Sequence, residues 1–244
     1  MDKKSNNMTI IEHLSELRRR FILVLITILL ATIICFLYAS PILDHLSRGI
    51  TLIYIRPSEA FMAHFHLAVS VGVFASTPLI FYQIVAFMLP ALYGKEKRVL
   101  LAAGIPMFLL FCLGLAFAWF VVFPYAMDFF ASFAGEKLLP WYTVSEYVSF
   151  VTMFLLAFGL VFQSPLIFWV LGALALVSSR FLRKSRKYAL VVILILAAFL
   201  TPPDVVSQIL MAVPMLGLYE LGIFLVIIAE ARRKKRTQAL VGEE

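Results

Sequence analysis

Charge is what this chain has least of. Only 14% of its 244 residues are Asp, Glu, Lys or Arg, against 63% hydrophobic. No soluble domain of this length keeps a water-facing surface with so few charged groups. Cysteine is scarcer still: Cys35 and Cys112 lie in separate apolar runs, without metal-ligand spacing or a redox motif, and read as packing residues. Of the four histidines, His13 precedes the first apolar run, while His45, His64 and His66 fall in one later loop. His64 and His66 alternate instead of sharing a helical face, which argues against a metal site. No His-Glu-x-x-His, Gly-x-Ser-x-Gly or glycine-rich phosphate loop occurs. The chain does not read as an enzyme, and no cofactor or metal is expected.

What is present is long apolar sequence. Residues 21–43, 67–89, 99–127, 147–179 and 188–203 contain no charged side chain, and 205–229 contains one acid, Glu220. A bilayer core takes about 20 apolar residues per helix. The fold class that follows is an all-α integral membrane protein with six transmembrane helices. The fifth is short: the 13 apolar residues 188–200 give ~20 Å of helix against ~30 Å of hydrocarbon. It must borrow flanking residues, sit beside thinned lipid, or pair with its neighbour. Thr201-Pro202-Pro203-Asp204 then predicts a tight turn into the sixth span. The first run is too long for the apolar region of a cleaved signal peptide.

The basic residues are unevenly distributed. Eighteen lie before span one, between spans two and three, between four and five, or after six; the other side holds only Arg48, Arg56 and Lys137. The positive-inside rule places both termini in the cytoplasm. The net charge of +7 thus reflects topology and attraction to anionic lipid rather than nucleic-acid binding. The chain divides into a cytoplasmic amphipathic segment (1–20), a six-span membrane domain (21–229) and a basic cytoplasmic tail (230–244). In the first segment Thr9 and Glu12 form a capping-box signature, and Ile10, Leu14, Leu17 and Phe21 make one apolar stripe. This predicts a short interfacial helix that turns into span one. Pro78, Pro106, Pro124, Pro165 and Pro214 interrupt the spans and predict kinked helices and a concave bundle. The loops at 40–65 and 128–146 are long enough to cap its outer end.

A few polar residues stand out. Glu16 lies at the start of span one, and Glu96 lies between spans two and three. Two crossings separate them, so both face the same side, where two acids on a basic rim suit a cationic ligand. The plainer reading of Glu16 is an ion pair with Arg19 or Arg20 one helical turn away. That of Glu96 is a solvated charge between Lys95 and Lys97. Gln163 sits at the centre of run 147–179, where its amide requires a partner in the protein, a bound helix or water. Glu220 is the ionisable group of span six. A solute transporter or channel built on Glu220 and Gln163 is the competing reading, weakened by the lack of an internal repeat.

Several motifs are carried in register: His13-Leu14-Ser15-Glu16-Leu17-Arg18, Pro57-Ser58-Glu59, Pro90-Ala91-Leu92-Tyr93 with Glu96, Phe158-Gly159-Leu160-Val161-Phe162, and Thr201-Pro202-Pro203-Asp204-Val205. With them the chain resembles the TatC family, the multispanning core of the twin-arginine protein translocase, over about residues 10–229. The resemblance implies a receptor in the cytoplasmic (inner) membrane that binds twin-arginine signal peptides for export of folded proteins, driven by the proton gradient. It implies that Glu16 and Glu96 contact the arginine pair, with Arg18, Phe87 and Leu92 in support. It implies as partners TatA- and TatB-type single-span proteins, further copies of the chain and membrane lipid. A partner helix is expected at Gln163, on the wall between span four and span five or six. The family's usual Glu is replaced there by an amide, which keeps a donor and an acceptor but no charge.

Overall fold

The computed structural model describes residues 10–48, 50–92, 94–132, 141–200 and 205–241. Thr9, Tyr93, the tip of the second long loop and the 201–204 turn lie outside the described residues. The chain is mostly helical. In order come α1 (Ile10–Leu37), α2 (Ala39–Leu46), β1 (Leu52–Ile53), α3 (Pro57–Met88), a 3₁₀ turn (Leu89–Ala91), α4 (Gly94–Phe117), a π-helical stretch (Ala118–Val122), α5 (Phe123–Ser132) and β2 (Tyr142–Thr143). Then follow α6 (Val144–Val161), α7 (Ser164–Ala173), α8 (Ser179–Lys184), α9 (Arg186–Leu200) and α10 (Val205–Val241). Among the described residues, five helical segments are long and apolar enough to cross a membrane: Ile11–Leu37, Pro57–Met88, Glu96–Ser132, Val144–Ala173 and Gln208–Arg233. α9, at 15 residues, is shorter. The chain forms two compact units, Met1–Gly104 with Leu139–Thr152, and Ile105–Leu138 with Met153–Glu244.

In the first unit α1 and α3 pair antiparallel along their length. His13 meets Phe87, Arg20 meets Gln83, and Phe36 meets Phe61. Between these contacts the backbones nearly touch at Gly72. A Cβ there would lie 2.6 Å from Thr32 Oγ1 and 2.8 Å from Thr32 N, so only glycine fits. Small residues permit this approach in membrane helices, where lipid offers no hydrophobic drive to pack. α1 is a single unbroken helix through Arg20 and Phe21. The expected turn between an interfacial helix and the first span is absent. The apolar stripe at 10, 14, 17 and 21 simply continues.

α3 starts where Pro57 fixes the first helical residue. Glu59 Oε2 accepts hydrogen bonds from Ile55 N (2.9 Å) and Arg56 N (3.4 Å). This is the acidic half of a capping box, since the Arg56 side chain has no acceptor to complete it. Nearby, the two long loops come together as expected. β1 pairs in parallel with β2, Leu52 opposite Tyr142 and Ile53 opposite Thr143. Tyr147 Oη donates to Leu46 O at 2.6 Å. Beneath them Ala63, Leu67, Val144 and Val148 form a buried core, covered by Ile42, Leu43 and Leu46.

The prolines act unequally. α3, α4 and α10 run on through Pro78, Pro106 and Pro214. Before Pro124 the helix widens: Phe123 N bonds back to Ala118 O, five residues away. The wider turn accommodates a proline that has no N–H to offer and whose ring would crowd the preceding turn. At Pro165 the helix breaks outright, ending α6 and restarting as α7 around Phe162 and Gln163. Beside this break α4 and α6 cross closely, a Cβ on Gly114 falling 2.6 Å from Phe158 O. Phe117 packs there against Phe158 and Phe162.

α7 closes with a Schellman motif, Leu176 N bonding to Leu171 O and Ala175 N to Gly172 O. Its left-handed position, φ 64°, is held by Ala175 instead of glycine. α7 and α9 both pack on α10. Gln208 Nε2 donates to Leu194 O at 2.9 Å, which ties α9 to α10. Ser179 N and Oγ both donate to Glu230, at 2.9 and 2.7 Å, fixing the start of α8 to α10. α10 continues as helix to Val241, without a break at 229–230.

Candidate functional site

Antiparallel pairing carries the start of α1 to the end of α3. Glu16 and Arg20, four residues apart, share one face of α1. Arg20 Nε and Nη2 both donate to Glu16 Oε1, at 2.9 and 2.5 Å, and Arg20 Nη1 reaches across to Gln83 Oε1 at 2.8 Å. One turn earlier His13 stacks on Phe87, ring centroids 4.4 Å apart and planes 17° from parallel. Immediately beyond Phe87 the chain makes the 3₁₀ turn at Pro90, then an extended residue, Leu92. It enters α4 at Gly94, whose φ of 34° suits glycine. Glu96 falls in the first turn of α4, where exposed backbone N–H groups favour a carboxylate.

Glu16, Phe87, Leu92 and Glu96 therefore lie at one end of the first unit. Glu16, Phe87, Leu92 and Glu96 are half-buried, whereas Arg18 is exposed. Two residues from Glu16, Arg18 cannot share its helical face. The guanidinium on the Glu16 carboxylate is that of Arg20.

The arrangement leaves one atom unused. Both Arg20 bonds end on Oε1, while Glu16 Oε2 is buried and has no hydrogen-bond partner among the described residues. An unpartnered buried acceptor costs about 1–3 kcal/mol, more if charged. A carboxylate oxygen in this state can accept from a donor, and a guanidinium is the donor best matched to a carboxylate. Sequence reasoning gave Arg20 as one of two partners of Glu16 but passed over His13 and Gln83. Their signals were present: His13 precedes Glu16 by three residues, on its face. Gln83 is a lone amide inside the uncharged run 67–89.

Gln163 sits in the α6–α7 break, 5% exposed. Its Nε2 donates to Met107 O and Gly159 O, both at 3.2 Å, and its Oε1 is buried without a partner among the described residues. The amide is turned toward α4. The open groove between α6–α7 and α9–α10, a cavity of about 670 Å³, is lined by neighbouring Ser164 instead. Glu220 is engaged elsewhere, paired at 2.6 Å with Arg186 on an exposed face, both side chains about half accessible (51% and 54%). The two polar groups of the transporter reading do not form one site. Among the described residues there is no cluster of three or more metal-ligating side chains.

Several helices long and apolar enough to cross a bilayer define the class of multi-pass helical membrane proteins. Residues 12–214 match the family model described as Sec-independent protein translocase protein (TatC). The chain is 41% identical to the Sec-independent protein translocase protein TatC of Carboxydothermus hydrogenoformans, over 89% of this chain and 92% of that protein. It is 37% identical to that of Escherichia coli strain K12, over 88% and 86%. A solved structure described as the crystal structure of the twin arginine translocase receptor TatC superposes with a TM-score of 0.81 at 35% identity, covering 89% of this chain and 99% of the other. This chain belongs to the TatC family: it is a multi-pass membrane component of a Sec-independent protein translocase, and its role is transport.

Proposed function

We propose that this subunit is the receptor for twin-arginine signal peptides, seated at Glu16 and Glu96 with Phe87 and Leu92 packing beside them. The observation that carries the reading is the buried, unpartnered Oε2 of Glu16, poised for a further guanidinium beside Arg20. Arg18, exposed and off that face, contributes to the positive rim. The chain spans the cytoplasmic membrane six times with both termini inside, α9 serving as the short fifth span, in a concave, kinked bundle. A terminal segment (1–20), a membrane domain (21–229) and a basic tail (230–244) remain the functional divisions, although α1 and α10 cross their borders as continuous helix. Gln163 serves a TatA- or TatB-type partner helix by holding the α6–α7 break against α4 and offering its acceptor. Further copies of the chain complete the translocase, and the proton gradient supplies the energy.

Binding of a twin-arginine peptide and of its twin-lysine counterpart to the purified protein tests the receptor role. A lysine is a point charge and cannot bond bidentately, so the twin-lysine peptide is expected to bind about tenfold or more weakly. Glu16→Ala with Glu96→Ala should abolish the difference while the protein still inserts. Wild-type peptide binding by that double variant would sink the assignment.

A further inference from the structure

The second unit carries a feature that signal recognition does not use. The groove between α6–α7 and α9–α10 has walls that are almost wholly apolar, and its mouth lies at the α8–α9 junction, where Phe181, Ser185 and Tyr188 line it. That junction is the most basic stretch among the described side chains: Arg180, Arg183, Lys184, Arg186 and Lys187 fall within eight residues. Two cationic groups are held at the mouth by residues of the groove itself. Lys187 Nζ sits 5.0 Å from the centre of the Tyr188 ring. Arg186 pairs with Glu220, adjacent to the lining residue Tyr219. Lys184 follows Phe181 by three residues, on the same side of α8. Glu220 compensates one of the five charges.

The dimensions are those of one leaflet. From Ser185 at the mouth to Leu196 is eleven residues, ~16 Å at 1.5 Å per residue, against ~15 Å for half of the hydrocarbon core. The volume, about 670 Å³, is in the range of small-molecule sites. An occupant with an apolar body one leaflet long and an anionic head at the interface satisfies both ends.

We infer that this groove is a binding site for a single anionic glycerophospholipid, its acyl chain along Val192 and Leu196 and its phosphate at Lys184 and Lys187. A partner helix fits the apolar wall but leaves the cations without a counter-charge. Free phosphate fits the cations but leaves the groove empty. The site is independent of Glu16 and Glu96.

Native mass spectrometry of the purified protein with added phosphatidylglycerol or phosphatidylcholine tests it. Wild type should retain one phosphatidylglycerol in preference to phosphatidylcholine. Lys184→Gln with Lys187→Gln should reduce that preference about thirtyfold, from ~1 kcal/mol for each of the two lysines at an anionic surface. Val192→Trp, at a position 53% exposed and so tolerant of bulk, should lower retention of both lipids by filling the groove. Twin-arginine peptide binding should be unchanged in both variants, which separates this site from the receptor reading. Undiminished phosphatidylglycerol preference in the lysine variant would overturn the proposal. So would displacement of the lipid by glycerol phosphate alone, or a Val192→Trp variant that loses a co-purifying partner span while keeping its lipid.

Discussion

At the scale of single residues, a carboxylate here does two things with two oxygens. Glu16 gives Oε1 to Arg20 and keeps Oε2 unbonded. The plain reading of its sequence context, an ion pair one turn along, is true of one oxygen and silent about the other. Sequence spacing exposes Arg20 as a neighbour, but not the second bond of its guanidinium, to Gln83 on α3, a contact 63 residues distant. Ala175 shows another limit of legibility. Nothing in Leu-Ala-Leu-Val announces a left-handed residue, because glycine usually marks that position. Here the two Schellman hydrogen bonds impose it on alanine, at a cost of roughly 1–2 kcal/mol. Ala175→Gly removes that cost and gives back part of it as chain entropy. Thermal unfolding in detergent should show the variant more stable by up to about 1 kcal/mol; a destabilised variant would contradict the assigned geometry.

At the scale of elements, the apolar runs located the helices well, because apolar length is what a bilayer demands. Proline was a poorer guide. Five prolines suggested five similar kinks, yet only Pro124 and Pro165 accompany a change of helix pattern. Whether a missing N–H is absorbed depends on the neighbouring backbone, which a single sequence does not display. The break at Pro165 coincides with Gln163, whose two N–H groups fasten it to Met107 O and Gly159 O. Gln163→Leu removes both bonds, worth about 0.5–1.5 kcal/mol each. Lower thermal stability and weaker co-purification of TatA- or TatB-type partners are expected. Equal partner recovery with lowered stability would leave Gln163 a purely structural residue and refute its partner role.

At the scale of the whole molecule, the distribution of basic residues predicts the topology, and five long helices with a shorter α9 supply the segments for it. With six crossings, single cysteines placed near each end of a cysteine-free variant should be modified from the same face of sealed vesicles. With five, the two ends would react from opposite faces. What the sequence left hidden at this scale was pairing. α1 against α3 and α7 against α10 are fixed by close approaches such as Gly72 on Thr32, and a glycine in an apolar run does not name the residue it will meet.

The α1–α3 pairing also sets an order in time. Arg20 is made 63 residues before Gln83, which at 5–20 residues per second is an interval of ~3–13 s. Through those seconds α1 has no α3 to lean on, and the bond from Arg20 to Glu16 lies wholly within the first helix made. The cross-helix tie then forms as α3 arrives, while the second half of the chain is still being synthesised. The pair at the proposed receptor site is thus available first to the nascent helix, which can enter the membrane interface with a charge already answered.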